Sequence, residues 1–479
     1  MDTDALIIFN YKKLNCRLIF SSLVMLSCAA CATHKPYNLP LINEANLSTS
    51  GTAMLSERWW VAFDDDELND HIASALDNNF TLAASWDRLS AAKALAKRQS
   101  ADLYPRLNLG GDTTRTYDDD GDKSDSFSFG PAASYEIDLW GRIRASRDAE
   151  DLRALASEED YRTAALSLSG NIAITWVRLI EANKQHGLLK NQIDTNEKVL
   201  EILSARFDTG QVRSEDILRQ QLLIEAVKEE IIDVETNIEI LQNQMAVLKG
   251  NAPQGYDFVF AKDKDLPVIP AMPDTGVPSD LLNRRPDIRA ALLGIEAADK
   301  DLAAAVRNQY PNITLSASYL SEAATAGALF SNWVTTLAGG FIAPIIDGGQ
   351  RRAEIKRNEA LRSERVNIYA QSVLEAFQDV ENALTQENKQ SERVENLEYR
   401  HKLAKDTYDL TKIGYFNGAS AFIDVLSAQT ELQDIERDLI TARRLLVEFR
   451  IALYRAIAGG FKTPREHYQD TQTNVVRID

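Results

Sequence analysis

Cysteine is almost absent from this chain. Its 479 residues contain three cysteines, and all three lie within the first 31 positions: Cys16, Cys28 and Cys31. The rest of the chain therefore cannot form a disulfide framework, a cysteine-ligated zinc site or a cysteine nucleophile. The five histidines lie far apart and never at metal-ligand spacing, so we predict no metal site and no cofactor.

Positive charge is also scarce. The chain contains 53 Lys and Arg against 71 Asp and Glu, a formal net charge of −18. Because a nucleic-acid surface requires clustered Lys and Arg, we predict no nucleic-acid partner. The sequence also lacks a nucleophile elbow and a phosphate-binding loop, and these absences predict that the protein is not an enzyme.

Proline is missing from two long stretches. None occurs between Pro131 and Pro253 or between Pro344 and Pro464. Because proline breaks helix interiors, each half of the chain has roughly 120 residues that are free to be helical. Residues 351–412 contain neither glycine nor proline, and a helix over this segment would be a rod of roughly 90 Å.

The two halves of the chain repeat each other. Gly210 and Gly418 lie about 208 residues apart, and Asp216 and Asp424 are separated by the same offset. Such a repeat is too long for a solenoid unit. After each aspartate, apolar residues recur at alternating steps of four and three, which predicts a coiled-coil seam or, alternatively, a plain helical bundle. We therefore predict two tandem helical hairpins with tips near Gly210 and Gly418.

Short segments of alternating polarity lie between the helices. Alternation is strict in 127–138 and 313–319 and weaker in 107–116 and 333–342. Strands with one apolar and one polar face are typical of membrane β-barrels, although the strands of a soluble sandwich alternate equally well. Open strand edges are not tolerated in lipid. If these four strands cross a membrane, several chains must therefore share one barrel.

The N-terminus has the features of an export signal. Basic residues lie before an apolar stretch: Lys12, Lys13 and Arg17. The apolar stretch, 18–30, is too short for a membrane span of about 20 residues. It ends in Cys28-Ala29-Ala30-Cys31, which resembles a bacterial lipobox. We predict acylation of Cys31, with Cys28 as the second candidate and an ordinary signal peptide as the alternative.

Several motifs together resemble one family. The most specific is the run Leu-Leu-Asn-Arg-Arg-Pro-Asp-Ile at 281–288, and it is accompanied by Glu-Ile-Asp-Leu-Trp-Gly-Arg at 136–142 and Asp-Gly-Gly-Gln-Arg-Arg at 347–352. Trp59-Trp60 and the segment that begins at Cys31 add to the likeness. The sequence resembles the TolC-like outer-membrane efflux proteins over nearly its whole length. Within them it is most similar to the lipoprotein branch that serves resistance–nodulation–division (RND) pumps.

This resemblance implies a fold and a domain order. The expected fold is mainly α with membrane β: tandem-duplicated long helical hairpins form a trimeric α-barrel, and four strands per chain form a shared 12-stranded β-barrel. The expected segments follow in chain order: 1–30 a lipoprotein signal peptide, 31–65 a lipid-anchored extended segment, 66–278 the first repeat, 279–460 the second repeat and 461–479 a tail.

The resemblance also implies a location and partners. We expect a homotrimer in the cell outer membrane, in contact with its lipid, with the helical tunnel in the periplasm. Cys31 would carry the covalent lipid as an N-palmitoyl, S-diacylglycerol cysteine. The expected partners are a periplasmic adaptor (membrane fusion) protein and an inner-membrane RND-type pump.

The resemblance places a periplasmic gate at the hairpin tips. Asp424 falls on the family's aspartate ring, Tyr415 on its gating tyrosine and Asp216 on the acid bonded across the closed tip. Ser427 stands where relatives often have a second aspartate, and Ser420 stands where one member has a gating arginine. We therefore expect fewer charged links to hold the closed state. The residues alone also permit a different role for both aspartates, which is to cap the helices that follow.

The expected function is a passive exit duct for drugs or other small molecules. An outer-membrane duct for type I protein secretion or metal efflux is the alternative within transport, and the lipobox together with Arg-Arg-Pro at 284–286 favours the drug-pump branch. A coiled-coil surface lipoprotein that acts as a scaffold is the alternative outside transport. It would leave the amphipathic strands without a role.

Overall fold

The computed structural model describes residues 37–39, 47–48, 50–54, 56–119, 121–256, 264–275 and 278–466. Cys28, Cys31 and the predicted signal peptide lie outside the described residues. Acylation of Cys31 therefore stays a prediction.

The described chain is mainly α-helical, as predicted. Its helices are α1 (Asp66–Asn78), α2 (Phe80–Ser100), α3 (Arg142–Asp208), α4 (Ser214–Leu248), α5 (Pro278–Arg284), α6 (Pro286–Arg307), α7 (Gln350–Phe416) and α8 (Phe422–Ile457). Helices α3 and α7 each contain 67 residues, whereas α4 and α8 contain 35 and 36. The two predicted hairpins are therefore confirmed as α3–α4 and α7–α8, each with one long and one shorter arm.

A four-stranded antiparallel sheet completes the fold. Its strands are β1 (Arg106–Tyr117), β2 (Lys123–Ile137), β3 (Asn312–Ala323) and β4 (Trp333–Ile342), and they lie in the order β1-β2-β3-β4. All four predicted strands are present. Because β2 pairs with β3, the strand pair of the first repeat and that of the second form one continuous sheet.

The register places most of the apolar residues of the four strands on one side, although Leu320, Val334 and Ile342 lie on the other. Leu107 lies opposite Ala133, Ala133 opposite Ala317, and Ala317 opposite Leu337, and directly opposed residues point to the same face of a sheet. The apolar sheet face, as we call this side, carries Leu107, Leu109, Ala133, Tyr135, Leu315, Ala317, Leu337 and Phe341. The opposite face carries Asn108, Ser134, Thr314, Ser316 and Thr336. The alternation that was weak in the outer strands thus agrees with that of the inner strands.

Nothing in the described chain covers the apolar sheet face at its outer strands. Every residue of β1 and β4 is exposed, including Leu107 at 73% and Leu337 at 79%. Aromatic rings stack near the strand ends: Tyr319 on Trp333 at 4.7 Å and Trp140 on Tyr310 at 5.0 Å. An apolar surface of this extent requires a partner other than water.

The described residues divide into two compact units, and each unit contains segments of both repeats. The first contains Lys97–Ala149 and Glu296–Glu364, and therefore the whole sheet. The second contains Glu150–Ile295 and the chain from Arg365 onwards, and therefore both hairpin tips. The boundaries proposed for the repeats at 66, 279 and 460 stay predictions.

The second unit contains a large core built around tryptophan. Trp59, Trp60 and Phe63 are buried in it, together with residues of α1 and α3. The indole nitrogens find hydrogen-bond acceptors: Trp59 Nε1 donates to Ser169 Oγ at 3.1 Å, and Trp176 Nε1 donates to Asp65 Oδ2 at 2.8 Å. The Trp-Trp pair of the sequence motif is thus a structural anchor.

The Arg-Arg-Pro-Asp motif is structural as well. Arg285 Nη2 lies 2.7 Å from Asp287 Oδ2, and Arg285 Nη1 lies 3.2 Å from Asp379 Oδ2 of α7 and 3.3 Å from the carbonyl oxygen of Ala456 in α8. Pro286 opens α6, a position where its missing N–H costs nothing. The arginine therefore fastens the start of α6 to the second hairpin.

Among the described helices, α3 contains one window that is apolar and long enough to cross a membrane. Two thirds of that window (67%) is buried inside the protein. Core helices satisfy the same criterion, so we assign α3 to the core.

Candidate functional site at the hairpin tips

The two hairpin tips have the same backbone geometry. At the first tip Gly210 has a φ of +73°, and at the second Gly418 has a φ of +76°, a left-handed conformation that favours glycine. Each glycine is followed by an N–H that bonds back five residues: Gln211 to the carbonyl oxygen of Arg206 at 3.0 Å, and Ala419 to that of Gly414 at 2.8 Å. This is the Schellman closure of a helix C-terminus. The sequence repeat therefore extends to individual hydrogen bonds.

The two aspartates also occupy equivalent backbone positions. Asp216 is the third residue of α4, and its N–H donates to the carbonyl oxygen of Arg213 at 3.2 Å. Asp424 is the third residue of α8, and its N–H donates to the carbonyl oxygen of Ala421 at 3.1 Å. Their side chains, however, have different surroundings.

Asp424 caps its own helix. Its exposed carboxylate accepts the N–H of Ala421 through Oδ2 at 3.1 Å, which pairs an N–H that the helix start otherwise leaves without an acceptor. Ser427, also exposed, donates its hydroxyl to the carbonyl oxygen of Ile423 at 2.8 Å. Both polar side chains are thus engaged within α8 in a single chain.

Asp216 is enclosed more tightly. Only 7% of it is exposed, and its carboxylate lies 3.9 Å from Arg213 Nε and 3.9 Å from Arg219 Nη1. These separations are longer than a hydrogen bond. The two arginines therefore compensate its charge without fixing the direction of its oxygens.

Tyr415 belongs to a small apolar cluster that joins the two tips. Leu203 and Val212 of the first hairpin are buried in this cluster against Phe422 and Val425 of the second, and the half-buried Tyr415 packs against them. Its ring centre lies 5.7 Å from that of Phe422. Within the described part of a single chain, no hydrogen bond joins Tyr415 to Asp216, so the link expected from the resemblance stays a prediction.

A buried amide layer lies close to the tips. Asn196 Oδ1 accepts from Gln429 Nε2 at 2.5 Å and from Gln433 Nε2 at 2.9 Å, and the carbonyl oxygen of Asn196 accepts from Gln220 Nε2 at 3.0 Å. All four residues are buried. A polar layer inside a coiled-coil core specifies the register of the helices. Only Gln220 gave a signal in the sequence, because it interrupts the apolar heptad positions.

The sequence reasoning missed Arg206. The Cζ atom of its guanidinium lies 5.2 Å from the ring centre of Tyr415 and 5.0 Å from that of Phe416. No sequence pattern pointed to this residue, because its equivalent in the second half is Gly414 and most positions around the tips differ between the two halves.

Two long helical hairpins and an amphipathic four-stranded sheet in one chain define the class of outer-membrane channel proteins. The chain belongs to the outer membrane efflux protein family, whose pattern matches residues 71–251 and 277–459. The resemblance to TolC-like efflux proteins is thereby confirmed, and so is the function of an outer-membrane efflux duct.

Named relatives and solved structures agree with this assignment. The pyoverdine export outer membrane protein OpmQ of Pseudomonas putida is 30% identical over 456 residues, which are 91% of this chain and 96% of that protein. The toluene efflux pump outer membrane protein TtgF of Pseudomonas putida is 26% identical, and the alignment covers 84% of this chain and 85% of that protein. The open state of the Neisseria gonorrhoeae MtrE channel is 26% identical with a TM-score of 0.78, covering 90% of this chain and 99% of its own.

The cap at the start of α8 leads to a first prediction. Replacing Asp424 with Ala removes the acceptor of the Ala421 N–H and a negative charge from the first turn of the helix, and the loss of such an acid costs about 0.3–1 kcal/mol. We expect amide hydrogen exchange at residues 421–425 to become up to roughly fivefold faster.

Ser427→Ala is the matched control on the same helix. The Ser427 hydroxyl donates to a carbonyl oxygen within the helix and pairs no free N–H. Its removal should therefore leave amide exchange nearly unchanged. If amide exchange is equally fast in the Asp424→Ala variant and the native protein, the cap does not stabilise the start of α8.

Proposed function

We propose that this protein is the homotrimeric exit duct of a tripartite efflux system. It receives small molecules from an inner-membrane RND-type pump through a periplasmic adaptor protein and releases them across the outer membrane. The observation that carries the proposal is the exposed apolar sheet face, bounded by two strand edges that have no partner within the described chain.

The open edges support a shared barrel. Backbone N–H and C=O groups in lipid must find partners because no water is available to satisfy them. One chain leaves β1 and β4 unpaired on their outer sides within the described residues. If β4 of one copy pairs with β1 of the next, three copies close a barrel of twelve strands, with the apolar sheet face towards lipid and the polar face towards the lumen.

The architecture of the duct does not identify the molecule that it transports. One relative is named for pyoverdine export and another for toluene efflux, so relatives with a common architecture are named for different molecules. We therefore propose the duct role without a particular substrate. Type I secretion and metal efflux use the same kind of duct, whereas a surface scaffold would leave the apolar sheet face exposed to water.

Neighbouring residues of β4 provide a sharp test of the barrel. Leu337 lies on the apolar sheet face and Thr336 on the polar face. An arginine that faces lipid near the bilayer midplane costs about 2–4 kcal/mol, whereas one that faces the lumen is tolerated. We expect Leu337→Arg to abolish heat-resistant trimers in outer-membrane fractions.

Thr336→Arg is the matched control and should retain the trimer, its mass in detergent and its conductance in planar bilayers. Trimers at native level in both variants would remove the argument for a lipid-facing sheet. If the native protein is monomeric in detergent, the proposal of a barrel shared by three chains is wrong.

A covalent lipid would add a second membrane anchor. Small residues precede Cys31 and no cysteine follows it, which supports acylation at this position. Cys31→Ser should abolish incorporation of labelled palmitate, and Cys28→Ser should not. Because the barrel also holds the protein in the membrane, we expect part of the Cys31→Ser protein to remain in the outer-membrane fraction. The opposite pattern of labelling would assign the lipid to Cys28.

We further propose that the tips form a closed gate. In a trimer, three copies of Asp424 would surround a narrow axis, where repulsion between like charges favours bound cations or water. Tyr415 would donate its hydroxyl to Asp216 across the tip. A charge-assisted bond of this kind is typically worth about 1.5–3 kcal/mol, so an adaptor that prefers the open state could overcome a few of them.

The gate makes separate predictions for its two parts. Tyr415→Phe combined with Asp216→Ala removes the expected link, and it should raise conductance and the inward leak of bulky antibiotics. Asp424→Ala should mainly weaken cation selectivity, whereas Ser427→Ala should change neither property. Native conductance and selectivity in all of these folded trimers would leave helix capping as the only role of Asp424.

A further inference from the structure

We propose that Arg206 is a positioning residue of the gate: its guanidinium lies on Tyr415 and Phe416 and fastens the second tip of each chain to the first. The inference rests on the proposed gate and adds a residue that the sequence motifs do not contain. It concerns a contact inside one chain, whereas the Tyr415–Asp216 link is expected at the assembled tip.

The geometry is that of a cation over two aromatic faces. The guanidinium carbon lies 5.2 Å and 5.0 Å from the two ring centres, within the range of about 6 Å in which a ring attracts a cation. Arg206 lies in the last turn of the long helix of the first hairpin, and the two rings belong to the last two residues of the long helix of the second. This contact therefore bridges the two repeats at their tips.

Hydrogen bonds of the tip turns fix both sides of the contact. The carbonyl oxygen of Arg206 accepts the Gln211 N–H at 3.0 Å and the Thr209 hydroxyl at 2.9 Å. The carbonyl oxygen of Tyr415 accepts the Gly418 N–H at 3.1 Å. The backbones of the arginine and the tyrosine thus take part in the bonds that form the two turns, so the contact joins two segments that these bonds restrain.

In the part of the chain that the structure describes, the contact has no counterpart in which a cation of the second half lies on rings of the first. The residue equivalent to Arg206 in the second half is Gly414, where an added Cβ would lie 2.5 Å from Ser420 Oγ. A side chain at this position would require the Ser420 hydroxyl to turn away, and the glycine supplies no cation to the second tip. Within the described residues, Arg206 is thus the cation that reaches from the first tip to the rings of the second.

This asymmetry has a consequence for opening. An outward movement of the second tip would draw Tyr415 and Phe416 away from the guanidinium, and a trimer would have to break three such contacts. The contact therefore resists opening.

The decisive variant is Arg206→Met, which keeps the length of the side chain and removes its charge. We expect it to increase the open fraction of single channels several-fold and to speed amide exchange at Gly418 and Ala419. Arg206→Lys, which retains a cation, should give an intermediate result. Arg393→Met is the matched control, because Arg393 is exposed on the same long helix as the rings, and it should match the native protein.

Combining Arg206→Met with substitutions of the rings distinguishes the cation–ring contact from the hydrogen bond of the Tyr415 hydroxyl. In Tyr415→Phe both rings remain, so Arg206→Met should still open the channel further. In Tyr415→Leu with Phe416→Leu both rings are gone, and Arg206→Met should add nothing. An equal effect of Arg206→Met in both backgrounds would overturn the proposal, because the arginine would then act on another partner.

The failure of this inference can be told from failure of the gate. Native conductance in Arg206→Met, together with a leak in Tyr415→Phe/Asp216→Ala, would disprove the role of Arg206 and keep the gate. Native conductance in both variants would disprove both. If Arg206→Met forms no trimer, Arg206→Gln and Arg206→Lys replace it, and native exchange and conductance in those two would equally overturn the proposal.

Discussion

Backbone hydrogen bonding at the edges of the sheet constrains the rest of this protein. The apolar sheet face is compatible with lipid, but lipid supplies no partners for the outer edges of β1 and β4. A single chain therefore cannot be the membrane-spanning entity, although its strands, their order and their register are complete. The polar face of the sheet would line the lumen of the barrel that we propose.

Duplication lets one chain build this sheet. Each repeat supplies one strand pair and one hairpin, and β2 and β3 join the pairs across the repeats. Gly210 and Gly418 close the two tips with the same bonds, and Asp216 and Asp424 take the same position in the helices that follow. Their side chains nevertheless differ, since one is enclosed between arginines and the other caps its helix. Duplicated backbones thus carry side chains with different roles.

Two kinds of contact hold the helices together near the tips. The amide layer around Asn196 is buried and bonded between helices, which favours a single register. Nearer the turns, the contacts are a small apolar cluster and the guanidinium of Arg206 over two rings. Contacts of this second kind can break without leaving buried polar groups unpaired, which is compatible with the gate that we propose at the tips.

The sequence by itself determined the helices, the strands and the duplication, because proline spacing, heptads and period-two alternation are local or periodic properties of the chain. It also placed Gly210 and Gly418 at the tips, since a left-handed turn favours glycine. Only the tertiary structure decided that the four apolar strand faces coincide and that Arg206 reaches Tyr415. These depend on strand register and on which helix ends meet across some two hundred residues, and no local pattern encodes such distances.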